Sequence, residues 1–242
     1  MKLYAYCVTG TETQPSSGTI GLFNRQVYSI TAGPISALVS DVAEESVVIS
    51  KQTVLTHQNV IGSVLNRTTP LPFRFGTVVD QRALTSYLVS RQQALAEKLK
   101  FVDGCVEMSV KIIWRESASD VSTDNRNESS WTNSVGTEFL RKKSVQIAGS
   151  KQLMDKANDI ATWLKSCVGP TTADMRLTVR PSQRLVLAAD CLVRRLELDS
   201  YHSAIESARA DRPDLHFLTS GPWAPYSFVN IDLEFNSQFG VS

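Results

Sequence analysis

Pro70-Leu71-Pro72-Phe73-Arg74-Phe75-Gly76-Thr77-Val78-Val79 lies between two long amphipathic segments and fits inside neither. Two prolines in three residues fix φ and remove two backbone donors, so the stretch is extended and is not a strand paired on both sides. It reads as a short edge strand or an ordered connector. Successive side chains of an extended chain alternate faces, which sends Phe73 and Phe75 one way and Arg74 the other. A guanidinium held between two anchored aromatics is a fixed cation.

Working outward, Ser50 stands as an N-cap before Val54, His57, Ile61 and Val64, spaced as one helix face, and this helix is expected to run to about Asn66. On the other side Asp80 caps a helix whose Leu84, Leu88, Arg91, Leu95 and Leu99 share a stripe. Asp103-Gly104 ends it. Residues 105–114 then alternate Val106, Met108, Val110 and Ile112 against Glu107, Ser109 and Lys111, the pattern of a half-exposed strand with one core face. Toward the N-terminus, residues 3–8 read as a buried strand, and 26–30 with 35–41 read as a hairpin around Gly33-Pro34. Strand, hairpin, helix, connector, helix and strand over residues 1–116 predict a modified ferredoxin-like sandwich, one sheet covered on one face by two helices.

Residues 117–133 are rich in Ser, Asp, Asn and Glu and are expected to form a polar loop. Residues 134–169 are helical in pattern, with Phe139, Leu153, Ile160 and Leu164 as main apolar positions and Gly149 as a weak point, and they read as a linking helix. A smaller C-terminal α+β domain with a tail occupies 170–242, with strands expected at 175–180, 185–193 and 215–219 and a polar helix at 196–210. The fold class is therefore α+β with two domains. Near the end, Pro222 and Pro225 frame Trp223, with Tyr226 and Phe228 following. This rigid aromatic corner either docks on the second domain or forms a partner surface, and docking is favoured because large exposed aromatic patches are uncommon.

The 242 residues are 42% hydrophobic and 20% charged, which is ordinary globular material with enough apolar content for a sizeable core. Lys plus Arg number 25 against 24 Asp plus Glu, a balance that argues against nucleic acid or an anionic membrane held mainly by bulk charge. Cys7, Cys105, Cys167 and Cys191 form no Cys-x-x-Cys pair and read as reduced thiols. Thr9-Gly10 interrupts the N-terminal apolar run too early for a signal peptide, and no run approaches membrane-spanning length. A cytoplasmic, unexported protein is expected.

Gly-rich phosphate loops, Gly-x-Ser-x-Gly elbows and His-Glu-x-x-His are all missing, and no cofactor or metal site is expected. His57 is the best single catalytic candidate, because an apolar helix stripe tunes an imidazole by burial. The competing reading, a partly buried histidine hydrogen-bonded to a loop, is preferred since no Cys, Ser or Asp stands beside it. Arg74 with Arg91 suggests either an anion site or an internal ion pair with Asp41, Glu107 or Asp80, and the ion pair is the commoner device. His57, Arg91 and Asp80 thus form a candidate structural polar centre. His202 and His216 are unaccompanied. Tyr4, Tyr6 and Trp114 on strands raise a base-stacking sheet, but the RNP1 pattern is absent and core packing is the stronger reading.

Six blocks carry a resemblance: Leu3-Tyr4-Ala5-Tyr6, residues 35–42, Leu55-Thr56-His57-Gln58-Asn59-Val60, Leu71-Pro72-Phe73-Arg74-Phe75-Gly76-Thr77-Val78, residues 106–111 and residues 221–229. Taken in this order they resemble the gas vesicle protein F/L family over nearly the whole chain. Pro-Phe-Arg-Phe-Gly and Pro-Tyr-Ser-Phe are the specific blocks. The resemblance implies a non-catalytic protein of gas vesicle formation, a minor shell component or an accessory assembly protein located in the cytoplasm with the vesicle. It also implies the apolar major shell subunit and other gas vesicle accessory proteins as partners. An apolar subunit free in solution exposes strand edges that aggregate, and a partner protects them by adding a strand at its own sheet edge. Phe73, Arg74, Phe75, Trp223, Tyr226 and Phe228 are the expected contact residues. The alternative is a small-molecule enzyme or ligand-binding protein centred on His57 and Arg74.

Overall fold

β1 (Lys2–Gly10) is buried on both faces from residue 3 to residue 9, in keeping with a run that has no charged side chain between Leu3 and Val8. The computed structural model describes residues 2–16, 18–43, 47–115, 135–182 and 184–231, over 135–150 as backbone alone. The expected polar loop at 117–133 and the tail beyond 231 lie outside the described residues, as does the side chain of Phe139. β2 (Tyr28–Ala32) and β3 (Ile35–Val42) form the expected hairpin, turning at Gly33-Pro34 with Gly33 at φ +59. β3 pairs antiparallel with one side of β1, and β4 (Leu71–Pro72) and β5 (Val78–Asp80) pair antiparallel with the other.

The proline-rich stretch is thus an edge strand, but an interrupted one. Five residues separate Pro72 from Val78, while two separate their partners Cys7 and Tyr4 on β1. The surplus loops out as a turn over 74–77, in which the Thr77 N–H and Oγ1–H both donate to the Arg74 carbonyl at 3.2 and 2.7 Å. Gly76 sits at φ +87, where glycine alone is unstrained. The turn corrects the expected alternation. Phe73 joins the main core, whereas Phe75 lies against Tyr4 and His57.

A second irregularity, a register shift against β3 between Ala5 and Cys7, sorts the side chains of β1. Leu3, Ala5 and Val8 face the core that contains Leu84, Leu88 and Leu95 of α2 (Gln81–Val102). Tyr4 and Tyr6 face the other way, against His57 of α1 (Lys51–Leu65). The two helices therefore cover opposite faces, correcting the expected single covered face. Ser50 caps α1 through a capping box with Thr53. Asp80 occupies the N-cap position of α2 without a side-chain cap bond; its carboxylate meets Lys2 Nζ at 3.2 Å.

β6 (Cys105–Trp114) departs further from the ferredoxin-like expectation, because it pairs in a second sheet of order β7 (Asp174–Thr178), β8 (Leu185–Arg194), β6, β9 (Leu215–Trp223). The protein is α+β with two antiparallel sheets. Among the described residues the chain divides into two compact units, one of 2–108, 192–195 and 221–231, the other within 109–191 and 196–220. The sequence reading instead ends the first domain at 116 and gives 170–242 to the second. The dividing lines fall inside β6, β8 and β9; no glycine or proline marks the first two, and the third falls at Ser220-Gly221-Pro222.

In the second unit α3 (Val135–Val168) runs without a break through Gly149 and packs on α4 (Leu198–Asp211). Ile160, Leu164 and Val168 are buried from α3, and Tyr201, Ile205 and Ala208 from α4. Trp163 meets the Phe217 ring edge-on at 6.4 Å and carries the Arg212 guanidinium 5.4 Å from its ring centre. Asp214 holds that guanidinium by a two-pronged bond at 2.8 and 2.6 Å.

Candidate functional site

The first unit buries a polar centre between β1 and α1. His57 is 0% exposed. Its Nδ1 lies 2.9 Å from the Tyr4 hydroxyl and its Nε2 lies 3.2 Å from the Tyr226 hydroxyl. The Tyr4 oxygen already accepts the Gly76 N–H at 3.0 Å. A neutral imidazole has one donor and one acceptor nitrogen, so one of these two tyrosines donates its proton to the ring and the other accepts the ring N–H. Gln58 Nε2 also donates to Tyr226 Oη, at 3.4 Å. Alongside, the Tyr6 hydroxyl accepts the Leu22 N–H at 2.8 Å and pairs with Ser40 Oγ at 2.9 Å.

Aromatic rings enclose the imidazole. Tyr6 stacks on it at 5.8 Å, while Tyr4 and Phe75 meet it edge-on, each at 5.6 Å. Burial disfavours the imidazolium and pulls the His57 pKa down to about 4. The same burial raises the pKa of Tyr4, Tyr6 and Tyr226 above that of an ordinary phenol. At neutral pH the centre is therefore an uncharged set of hydrogen bonds. What it does chemically is join β1, α1, the 74–77 turn and the segment around Tyr226.

That segment, residues 221–231, is fastened elsewhere in the same unit. Buried Glu107 accepts the Ser227 N–H at 2.7 Å and the Ser227 Oγ–H at 2.8 Å. Lys98 Nζ donates to the Asn230 carbonyl, and Phe228, Val229 and Ile231 enter the main core. Gly221, at φ +124, passes so close to β6 that a Cβ there would lie 2.8 Å from the Glu107 carbonyl.

Of the expected contact residues, Phe73 and Phe228 are core side chains and offer no surface. Tyr226 is half-buried on His57, Phe75 half-buried beside it, and Arg74 and Trp223 are exposed. The expected polar centre is corrected in two members. Arg91 points outward from α2 despite its place on the leucine stripe, and Asp80 is an exposed partner of Lys2. A guanidinium on a helix flank has solvent within reach of its long stem, so no buried counter-ion is needed. Tyr4 and Gln58 are the members that sequence reasoning missed, and it did not pair Glu107 with Ser227. Buried Tyr4 and Tyr6 are unavailable for base stacking.

Among the described residues no cluster of His, Cys, Asp and Glu is arranged to hold a metal ion, and no helix is long and apolar enough to cross a membrane.

Two antiparallel sheets, with the polar centre of the first unit fastening β1, α1, the 74–77 turn and the segment around Tyr226, define the α+β class of this protein. Residues 2–230 match the family model described as gas vesicle synthesis protein GvpL/GvpF, and the chain belongs to that family. It is 26% identical to gas vesicle protein F1 of Halobacterium salinarum, covering 89% of this chain and 86% of that one. Against gas vesicle protein F of a Streptomyces species the identity is 28%, over 95% of this chain and all of the other. The crystal structure of GvpF from an Anabaena species superposes with a TM-score of 0.72 at 20% identity, covering 96% of this chain and 97% of that one. GvpF from Microcystis aeruginosa gives 0.73 at 18% identity, over 94% and 98%. These two establish the shared fold, and family membership ties the chain to gas vesicle formation.

Proposed function

We propose that this protein acts without catalysis in gas vesicle formation, as an accessory assembly protein or minor shell component that binds the apolar major shell subunit. It works in the cytoplasm, in association with the vesicle and its other accessory proteins. The observation that supports a non-catalytic role is the state of His57. Both ring nitrogens are engaged by tyrosine hydroxyls and the ring has no exposed surface, so the best catalytic candidate has no atom to offer a substrate. A small-molecule enzyme centred on His57 and Arg74 needs that atom.

The contact surface centres on the 74–77 turn. Its edge strand is broken into pieces of two and three residues, which discourages uncontrolled strand addition. The turn carries exposed Arg74 and, next to it in sequence, Phe75 half-buried against Tyr4 and His57, on a base fixed by the Tyr4 bond to Gly76. Burying an aromatic next to a guanidinium is a common source of affinity at protein interfaces. A pull-down of the major shell subunit by the double variant Arg74→Ala plus Phe75→Ala is expected to recover far less than wild type. Recovery equal to wild type, with an unchanged melting temperature, removes the turn from the interface.

A further inference from the structure

We propose that the hairpin tip Phe23-Asn24-Arg25 is a second contact point, an aromatic knob with an adjacent guanidinium that seats in an apolar recess bordered by a carboxylate on the shell subunit. Residues 19–27 form a tight loop closed by Val27 N–H to the Thr19 carbonyl at 2.9 Å and Gly21 N–H to the Arg25 carbonyl at 2.8 Å. Its two central residues are both left-handed, Phe23 at φ 56 and Asn24 at φ 57. This is the geometry of a primed two-residue turn, which asparagine and glycine adopt and bulky side chains avoid. Asn24 suits its place. Phe23 does not.

Nor does burial account for the phenylalanine, since its side chain remains 49% exposed at the tip. Folding thus draws neither backbone ease nor full apolar burial from this residue, and a strained, exposed aromatic on a rigid base is a mark of a contact residue. The base is rigid because Leu22 is buried and its N–H donates to Tyr6 Oη at 2.8 Å. Gly21 lies so close that an added Cβ would come 2.0 Å from the same hydroxyl. The knob therefore stands on the tyrosine cluster that encloses His57. Ile20 and Arg25 beside it are exposed, and among the described residues Arg25 makes no ion pair.

Aromatic and arginine side chains dominate binding energy at protein interfaces, and a preorganised knob loses little entropy on docking. Near-neutral net charge disfavours a nucleic acid or membrane partner held by bulk electrostatics. The exposed Arg25 guanidinium selects a partner with a carboxylate beside its recess.

The proposal rests on the gas vesicle reading, and its test separates the two. The tagged full chain is co-expressed with the major shell subunit alone, and the subunit retained on the tag is measured for wild type, Phe23→Gly and Phe23→Trp. Phe23→Gly is expected to melt at the same temperature as wild type or about 2 to 4 °C higher, through relief of strain. It should retain at least tenfold less subunit, while Phe23→Trp keeps binding. Equal retention by Phe23→Gly, or a lower melting temperature for it, overturns the contact role. Wild type retaining no subunit overturns the shell-binding function as well.

Discussion

The His57 centre yields a stability that depends on pH in a defined direction. An unfolded histidine titrates near 6.5, and in the fold this one titrates near 4. The native state binds fewer protons than the unfolded state between those values, so stability is complete above pH 6.5 and is lost as pH falls toward 4. The full gap is about 3 kcal/mol, of which roughly 2 kcal/mol is lost by pH 5, order-of-magnitude values from the two pKa positions. The groups packed around the ring do not reverse the sign. Tyr4, Tyr6 and Tyr226 remain protonated phenols, and the Glu107 carboxylate is directed at Ser227. The assay is urea unfolding of wild type and His57→Gln at pH 7.5 and pH 5. Carboxylates elsewhere titrate in both proteins and cancel in the difference. The wild-type advantage should shrink by about 2 kcal/mol at the lower pH. An advantage unchanged to within about 0.5 kcal/mol, or a His57 ring resonance that titrates near 6.5, refutes the account of a buried neutral imidazole.

Two further changes probe the pieces that hold this centre. Gly76→Ala adds a methyl with nothing within 4 Å of it at a φ of +87, so its effect is conformational alone. A loss of about 1 kcal/mol, seen as a melting temperature about 2 to 4 °C lower, is expected, and an unchanged melt means the 74–77 turn is built otherwise. Truncation after Ser220 removes Phe228, Val229 and Ile231 from the core together with the bonds of Tyr226 and Ser227. At about 1.5 to 3 kcal/mol for each buried apolar side chain, the loss rivals the whole stability of a typical domain. The truncated chain should lack a cooperative unfolding transition; a sharp melt near the wild-type temperature would contradict the placement of this segment.

Local chemistry made most elements legible. Ser50 announces α1, the leucine spacing announces α2, and alternation announces β6, all within a residue or so of where they lie. Pairing was not legible, because it depends on partners that are remote in sequence. Leu-Tyr-Ala-Tyr-Cys-Val has no polar side to indicate which face a helix covers, and both faces turn out to be covered. The register shift near Tyr6 moves Val8, and not Cys7, onto the face of Leu3 and Ala5, something strict alternation cannot express. Likewise, alternation along residues 105–114 identifies a strand but not the sheet it joins.

The centre itself was half legible, and the reason lies in what a buried imidazole requires. A histidine on an apolar helix stripe needs a hydrogen-bond partner at each ring nitrogen, or its burial is strongly unfavourable. The sequence placed His57 on the stripe and Tyr4 on a buried strand, but these are 53 positions apart, and Tyr226 is 169 away from His57. A usable signal was present all the same. Tyr4 and Tyr6 sit in an apolar strand with no nearby polar residue for their hydroxyls, and a buried phenol in that position also demands a partner. Glu107 was misleading for the opposite reason: alternation assigns it to a solvated face, whereas its carboxylate is buried and satisfied by Ser227. Matching unsatisfied buried donors to unsatisfied buried acceptors, in addition to reading periodicity, joins the first strand, the first helix and the segment near residue 226 into one unit. The 221–231 segment belongs to that unit through hydrogen-bond demand as much as through its apolar side chains.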